Sequence, residues 1–173
     1  NTFNKYIKIG YNEEKLYDLA LKVLLHIKKK SPVYLNKLPQ YSSDLFIKEF
    51  KLFLKWYWPL IYKKKPNKKI VSSIMKIWKE LLSKNLKTTK VITHRDFHID
   101  NLFFLKKRNG LKACGIIDFQ DAVIGPSSYD LLSLLEDARR KVKGSVVKKI
   151  YNKYLNSLNK YDATNFNKEY ITL

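Results

Sequence analysis

Eight consecutive positions carry most of the reactive side chains. His94-Arg95-Asp96-Phe97-His98-Ile99-Asp100-Asn101 holds six hydrogen-bonding or ionisable residues and runs straight into an apolar stretch. A second carboxylate, Asp118 in Ile117-Asp118-Phe119, closes the next apolar run. Between the two lies Asn109-Gly110, the strongest short-range signal for a hairpin turn. With those two as the turn residues, Asn101 faces Asp118, and directly opposed residues have Cβ atoms roughly 4.5–5.5 Å apart. An amide oxygen and a carboxylate at that separation can share one Mg²⁺, which takes hard oxygen ligands and keeps its remaining sites for water or phosphate oxygens. Asp96, at the start of the loop, is placed to orient an attacking hydroxyl and receive its proton. These are the parts that phosphoryl transfer needs, and a covalent nucleophile is not among them.

The same loop admits a second chemistry. His94, Asp96, His98 and Asp100 alternate, and imidazole with carboxylate suits Zn²⁺ or Mn²⁺ in a hydrolase; that assignment leaves Asn101 and Asp118 without a task. His94 reads as a structural residue bonded to backbone, whereas His98 is either a substrate contact or a surface residue. His26 reads as structural. Asp100 and Asp121 either line an acceptor pocket or are solvated loop acids. Cys114, inside an apolar strand, is expected to be a small core residue.

Around this segment the hydrophobic periodicity sets out the elements that must position it. Asn12-Glu13-Glu14 suits a helix start, and Leu16, Leu19, Ala20, Val23, Leu24 and Ile27 recur at helical spacing up to Lys30, before Ser31-Pro32. A second helix is expected from Ser42 or Ser43, with Phe46, Phe50, Phe53, Leu54 and Tyr57 on one face, running into Trp58-Pro59. A third starts near Asn67 and carries Ile70, Val71, Ile74, Trp78, Leu81 and Leu82. All three read as amphipathic core helices, and packing of Trp56-Tyr57-Trp58 on the core is favoured over an interfacial anchor beside Lys63-Lys64-Lys65. Strands are expected at 91–93, 101–105 and 111–117, then helices at 129–140 and 145–158, with Asn165 capping a further one. The order is helices, a small β-element and helices again, an α+β plan in one domain.

Composition bounds the rest. The chain of 173 residues, 45% apolar and 29% charged, suits a folded globular protein rather than a disordered one. Lysines interrupt every apolar run, so no spanning helix is expected, and no membrane partner. A single cysteine forms no internal disulfide, which makes a cytoplasmic location the expectation. The net charge of +20 brings a basic, non-catalytic nucleic-acid-binding module into consideration. The stretch 94–140 nevertheless balances seven acids against seven bases, and only four of the 35 bases are arginines. A solvated lysine-rich surface without a specific nucleic-acid partner is therefore favoured.

His94-Arg95-Asp96 through Asn101 matches the pattern H-R-D-x-x-x-x-N of kinase catalytic loops. Together with Ile117-Asp118-Phe119-Gln120-Asp121-Ala122, Gly125-Pro126 and Tyr129-Asp130-Leu131, it resembles the aminoglycoside phosphotransferase and choline-kinase-like superfamily. The resemblance is strongest to the branch of N-acetylmuramate and N-acetylglucosamine kinases that act at the anomeric hydroxyl, and the aromatic helix with Phe53, Trp56 and Tyr57 is similar to that branch as well. The resemblance implies a kinase-like C-terminal lobe with ATP and Mg²⁺ as cofactors. Asp96 would be the catalytic base, Asn101 and Asp118 the metal ligands, and His94 and Asp130 supports of the loop. Arg95, His98 and Asp121 are candidate substrate contacts. A small-molecule acceptor is implied, an amino sugar first and a choline- or aminoglycoside-type amine second. Gln120 in place of a glycine after Asp118-Phe119, with no Ala-Pro-Glu following, counts against a protein acceptor. The family carries its glycine-rich phosphate loop and lysine–glutamate pair on an N-terminal lobe. Residues 1–173 are thus expected to be most of the C-terminal lobe, without the N-terminal lobe and the extreme C-terminus, and by themselves a poor catalyst.

Overall fold

A computed structural model describes residues 1–85 and 90–172. Two compact units emerge, Asn1–Pro39 with Thr89–Leu173, and Gln40–Thr88.

The first unit begins with helix α1 (Phe3–Lys8), followed by α2 (Glu13–Lys30). The Asn12 side chain accepts the Lys15 amide at 3.0 Å, and Glu13 and Glu14 occupy the first turn beside the positive end of the helix dipole. The buried stripe is Leu16, Tyr17, Ala20, Leu21, Val23 and Leu24. A single tight turn, Ser31–Tyr34, starts at Ser31-Pro32 and ends the helix.

Four short strands follow in two antiparallel pairs. β1 (Lys90–Thr93) pairs with β4 (Val123–Pro126), and β2 (Leu102–Phe104) pairs with β3 (Cys114–Ile116). No strand was expected at Val123–Pro126. Pro126 is tolerated as the last residue of a two-stranded ladder. Three helices complete the unit: α6 (Tyr129–Leu135), α7 (Gly144–Asn156) and α8 (Lys160–Thr172). α6 ends five residues before the expected Arg140, since the Asp137 carboxylate turns back to accept the Arg139 amide at 3.0 Å. α8 starts earlier than expected, with Asn159 rather than Asn165 as its cap: the Asn159 side chain accepts the Asp162 amide at 2.9 Å.

One core unites these helices with the loop that follows β1. Tyr17, Leu21 and Leu24 of α2 share it with Leu131 and Leu134 of α6, Ile150 and Tyr154 of α7, and Phe166 of α8. Phe97 and Ile99 are fully buried in the same core, so the backbone between the polar residues of the loop is held by hydrophobic packing.

In the second unit, α3 (Ser43–Leu52), one wider turn at 53–57 and α4 (Trp58–Tyr62) form a continuous helical run past Pro59. The Trp58 amide reaches back five residues to Phe53, and this wider turn accommodates the proline's missing donor, so the helix does not end there. α5 (Lys68–Asn85) packs against α3, with Phe50 and Trp78 at a ring separation of 4.7 Å. The expected core face is corrected in part. Leu54 is buried, but Phe53, Trp56 and Tyr57 are 40%, 66% and 52% exposed. An extra residue in the 53–57 turn shifts the helical phase, so a stripe drawn at 3.6 residues per turn no longer follows one face.

Candidate active site

Two loops span the gap between the strand pairs. The first leaves β1 at Thr93 and enters β2 at Leu102; the second leaves β3 at Ile116 and enters β4 at Val123. Thr93 pairs with Val123 and Leu102 with Ile116, so the loops are tied at both ends and lie side by side. The topology thereby brings the 94–101 and 117–122 segments together.

The expected hairpin register is corrected. Phe103 pairs with Gly115, which places Asn101 opposite Ile117, one position short of Asp118. Asn109-Gly110 is not a two-residue turn: the connection runs from 105 to 113 and includes a tight helical turn, Gly110–Ala113. Gly110, at φ +56, supplies the left-handed residue that this longer connection needs. The loops still meet, through the Ile117 amide donating to the Asn101 carbonyl at 3.1 Å. Asp118 then turns away from strand geometry at φ +65. A non-glycine residue held there costs about 1–3 kcal/mol, as does Arg95 at φ +78, and such strain gathers at functional sites.

Asp130 lies under the first loop. Its carboxylate is buried at the start of α6 and accepts the His94 amide at 2.8 Å and the Arg95 amide at 3.0 Å. His94, also buried, donates from Nε2 to the Ile117 carbonyl at 3.0 Å and so crosslinks the loops. Arg95 donates from Nη1 to the Asp121 carbonyl at 3.3 Å, a second crosslink, while the Asp121 side chain is exposed. The Asp96 side chain is exposed, whereas its carbonyl accepts the Asn101 Nδ2 at 3.0 Å. That bond engages the Asn101 amino group, so Oδ1 is the atom of this side chain that could ligate a cation. Asp118 is exposed, with Oδ1 accepting from Gln120 at 2.7 Å. Two hard oxygen donors on adjoining loops fit a Mg²⁺ ion.

His98 is buried, which removes the surface-residue reading. Its Nδ1 accepts the Asp100 amide at 3.3 Å, and Nε2 lies 3.4 Å from the Asn101 Nδ2. Burial, with the nearby Arg139 guanidinium second, holds its imidazole below the usual histidine range. Asp100 accepts a hydrogen bond from Asn4 of α1 at 2.6 Å, so it anchors the loop's base to the first helix. Among the described residues, no group of three or more His, Cys, Asp or Glu side chains could hold a metal ion. Cys114 is half-buried, and burial pushes its thiol up to about 12.

The sequence reading missed what supports Asp130 from behind. Lys28 of α2 hydrogen-bonds the Ser127 carbonyl and the Tyr154 hydroxyl, and Glu169 of α8 accepts from the Ser128 amide and hydroxyl, both at 2.6 Å. A signal was present: Lys28 continues the buried series Tyr17, Leu21, Leu24 by one helical step, an unusual place for an ammonium.

This helical lobe, with paired short strands presenting two joined loops, is the architecture of kinase-like phosphotransferases. The solved gentamicin-APH(2")-IIa complex superposes on 98% of the chain and 56% of its own, with a TM-score of 0.59 at 21% identity, a likeness of fold. The chain belongs to the phosphotransferase enzyme family, whose sequence model matches residues 32–165. It is 31% identical over 174 residues to the N-acetylmuramate/N-acetylglucosamine kinase of Caulobacter vibrioides, covering 95% of this chain and 47% of that one. The protein so named from Neisseria meningitidis serogroup B is 36% identical over 105 residues, which are 58% of this chain and 29% of the relative. The chain thus spans less than half the length of these relatives. No helix among the described residues is long and apolar enough to cross a membrane.

Proposed function

We propose that the protein is an ATP- and Mg²⁺-dependent small-molecule kinase that phosphorylates the anomeric hydroxyl of a cell-wall amino sugar, N-acetylmuramate or N-acetylglucosamine. The observation that carries the reading is the double tie between the loops, Asn101 to Ile117 and His94 to Ile117, with Asp96 on one and Asp118 on the other. The similarity to N-acetylmuramate/N-acetylglucosamine kinases supports the acceptor class.

Each residue has a distinct task. Asp130 fixes the backbone of His94 and Arg95, and with it the direction in which Asp96 leaves the loop. The exposed Asp96 carboxylate accepts the proton of the acceptor hydroxyl as that oxygen attacks the γ-phosphorus of ATP, whose bond to the β–γ bridging oxygen breaks to release ADP. Asn101 and Asp118 would hold the Mg²⁺ ion through their side-chain oxygens, and the ion would supply neutralisation of phosphate charge. His98, held beneath Asn101, orients the amide, and Arg95 and Asp121 border the acceptor side. Catalysis of this kind is positioning and electrostatics rather than covalent chemistry.

The test is a product assay with the full-length protein, ATP and Mg²⁺, comparing N-acetylmuramate, N-acetylglucosamine, choline and kanamycin-type acceptors at equal concentration. The sugars are expected to be phosphorylated, and Asp96→Asn to lower kcat by about 10²–10⁴-fold with KM little changed. Inert sugars beside a phosphorylated amine would overturn the acceptor. Asp96→Asn with wild-type kcat would overturn the site.

A further inference from the structure

Behind the phosphotransfer loop lies a polar cluster drawn from four helices. Lys28 enters it from α2, Ser127 and Ser128 from the turn before α6, Asp130 from α6, Tyr154 from α7 and Glu169 from α8. The Lys28 ammonium donates to the Ser127 carbonyl and the Tyr154 hydroxyl and lies 4.3 Å from the Tyr154 ring centre. Ser127 and Ser128 are held from the other side by Glu169, through the Ser127 hydroxyl at 3.3 Å and the two Ser128 donors. The turn is thus gripped by a cation and an anion two residues before Asp130.

Asp130 faces two amide donors and, across the turn, the Lys28 charge. Burial raises its carboxyl, while the His94 and Arg95 amides, and after them the Lys28 ammonium, pull the other way. Each carboxyl oxygen accepts one of the two N–H groups, an arrangement the ionised form serves better, because the hydroxyl oxygen of the acid is the weaker acceptor. We propose that Lys28 is a positioning residue for phosphoryl transfer: it clamps the 127–128 turn and so fixes Asp130 beneath the His94 and Arg95 amides. The inference rests on the phosphotransferase reading of the loop, and it extends the machinery to a helix more than 60 positions upstream in the chain.

The arrangement makes the loop sensitive to pH. Burial pushes the Lys28 ammonium down to about 7, against the pull of Asp130 and then Glu169. Tyr154 is the remaining titratable group in contact, and burial keeps its phenol protonated well above the usual range, so it remains a neutral partner. His94 also lies beside Asp130, its ring bonded to the Ile117 carbonyl. Deprotonation of Lys28 leaves Asp130 and Glu169 without their buried cation.

The experiment compares wild type, Lys28→Met and Lys28→Arg in the full-length protein by steady-state kinetics across pH and by amide hydrogen exchange. For wild type, kcat is expected to fall on the alkaline side with a midpoint near pH 7. Lys28→Met is expected to lower kcat by about 10–100-fold with KM values within about threefold, and to abolish that limb. Exchange at His94 and Arg95 should quicken by about tenfold or more while α2 and α7 keep their protection. Lys28→Arg, whose guanidinium stays charged, should restore protection and move the limb above about pH 9. Wild-type kcat and protection in Lys28→Met would overturn the proposal. If that variant does not fold, a limb still near pH 7 in Lys28→Arg does so. If wild type transfers no phosphate, the activity reading fails by itself, and the exchange data alone decide the positioning role.

Discussion

Replacement of Asp130 by alanine isolates the link between the helical core and the reactive loop. Two buried N–H groups, of His94 at 2.8 Å and Arg95 at 3.0 Å, lose their acceptor. An orphaned buried donor costs about 1–3 kcal/mol. His94 is buried and belongs at the upper end, whereas Arg95 is half-exposed and water recovers part of its loss. The sum is about 4 kcal/mol, a large share of the 5–15 kcal/mol typical of a domain. Asp130→Asn keeps one acceptor oxygen, so it should cost about half as much. At about 2–4 °C per kcal/mol for a chain of this size, the alanine variant melts about 8–16 °C below wild type and the asparagine variant about 4–8 °C below. Urea unfolding and thermal melts at pH 7 measure the two quantities, and amide exchange of the 94–95 segment locates the loss. A loss under about 1 kcal/mol in Asp130→Ala, or equal losses in the two variants, would refute the reasoning, because the loop would then be held by Phe97 and Ile99 alone.

Other outcomes follow from burial and charge. Ile150→Ala, in the fully buried α2–α7 contact, should cost about 2–5 kcal/mol, whereas Phe119→Ala, 67% exposed, should stay within about 0.5 kcal/mol; urea midpoints test both. Cys114 should react with a thiol reagent at pH 8 far more slowly in the folded protein than in urea, because burial suppresses its thiolate. Stability should rise from about pH 7 toward pH 10. Folded Lys28 sheds its proton near 7 while the unfolded chain holds it to about 10.5, so unfolding takes up a proton in that window. Above pH 10 the trend should reverse: Tyr17, Tyr154 and Tyr170 are kept protonated by burial but ionise once unfolded. Urea midpoints from pH 6 to 11 check both slopes, and Lys28→Met should remove the rising one.

Much of this protein was legible in one dimension because the signals are local. A cap at Asn12 and apolar residues at helical spacing determined α2, and Asn67 marked the start of α5 through its own hydrogen bond to the Ile70 amide at 2.9 Å. The family was readable from residues 94–131, where chemistry constrains residue type at every second or third position. The register of β2 on β3 was not local. It depends on a connection whose length is set by the tight turn at Gly110–Ala113, and a one-residue change in that count moves every facing pair. Likewise, the extra residue at 53–57 alters a helical phase that periodicity takes as constant. The meeting of Lys28, Asp130 and Glu169 lay furthest from the sequence's reach. Lys28 and Asp130 are about a hundred positions apart, and Glu169 is about forty further on. Only the packing of α2, α6 and α8 into one core turns three ordinary charges into one buried cluster. Local propensity specifies which segments form elements; the burial of charge is a property of the assembled core, where desolvation decides which partners must meet.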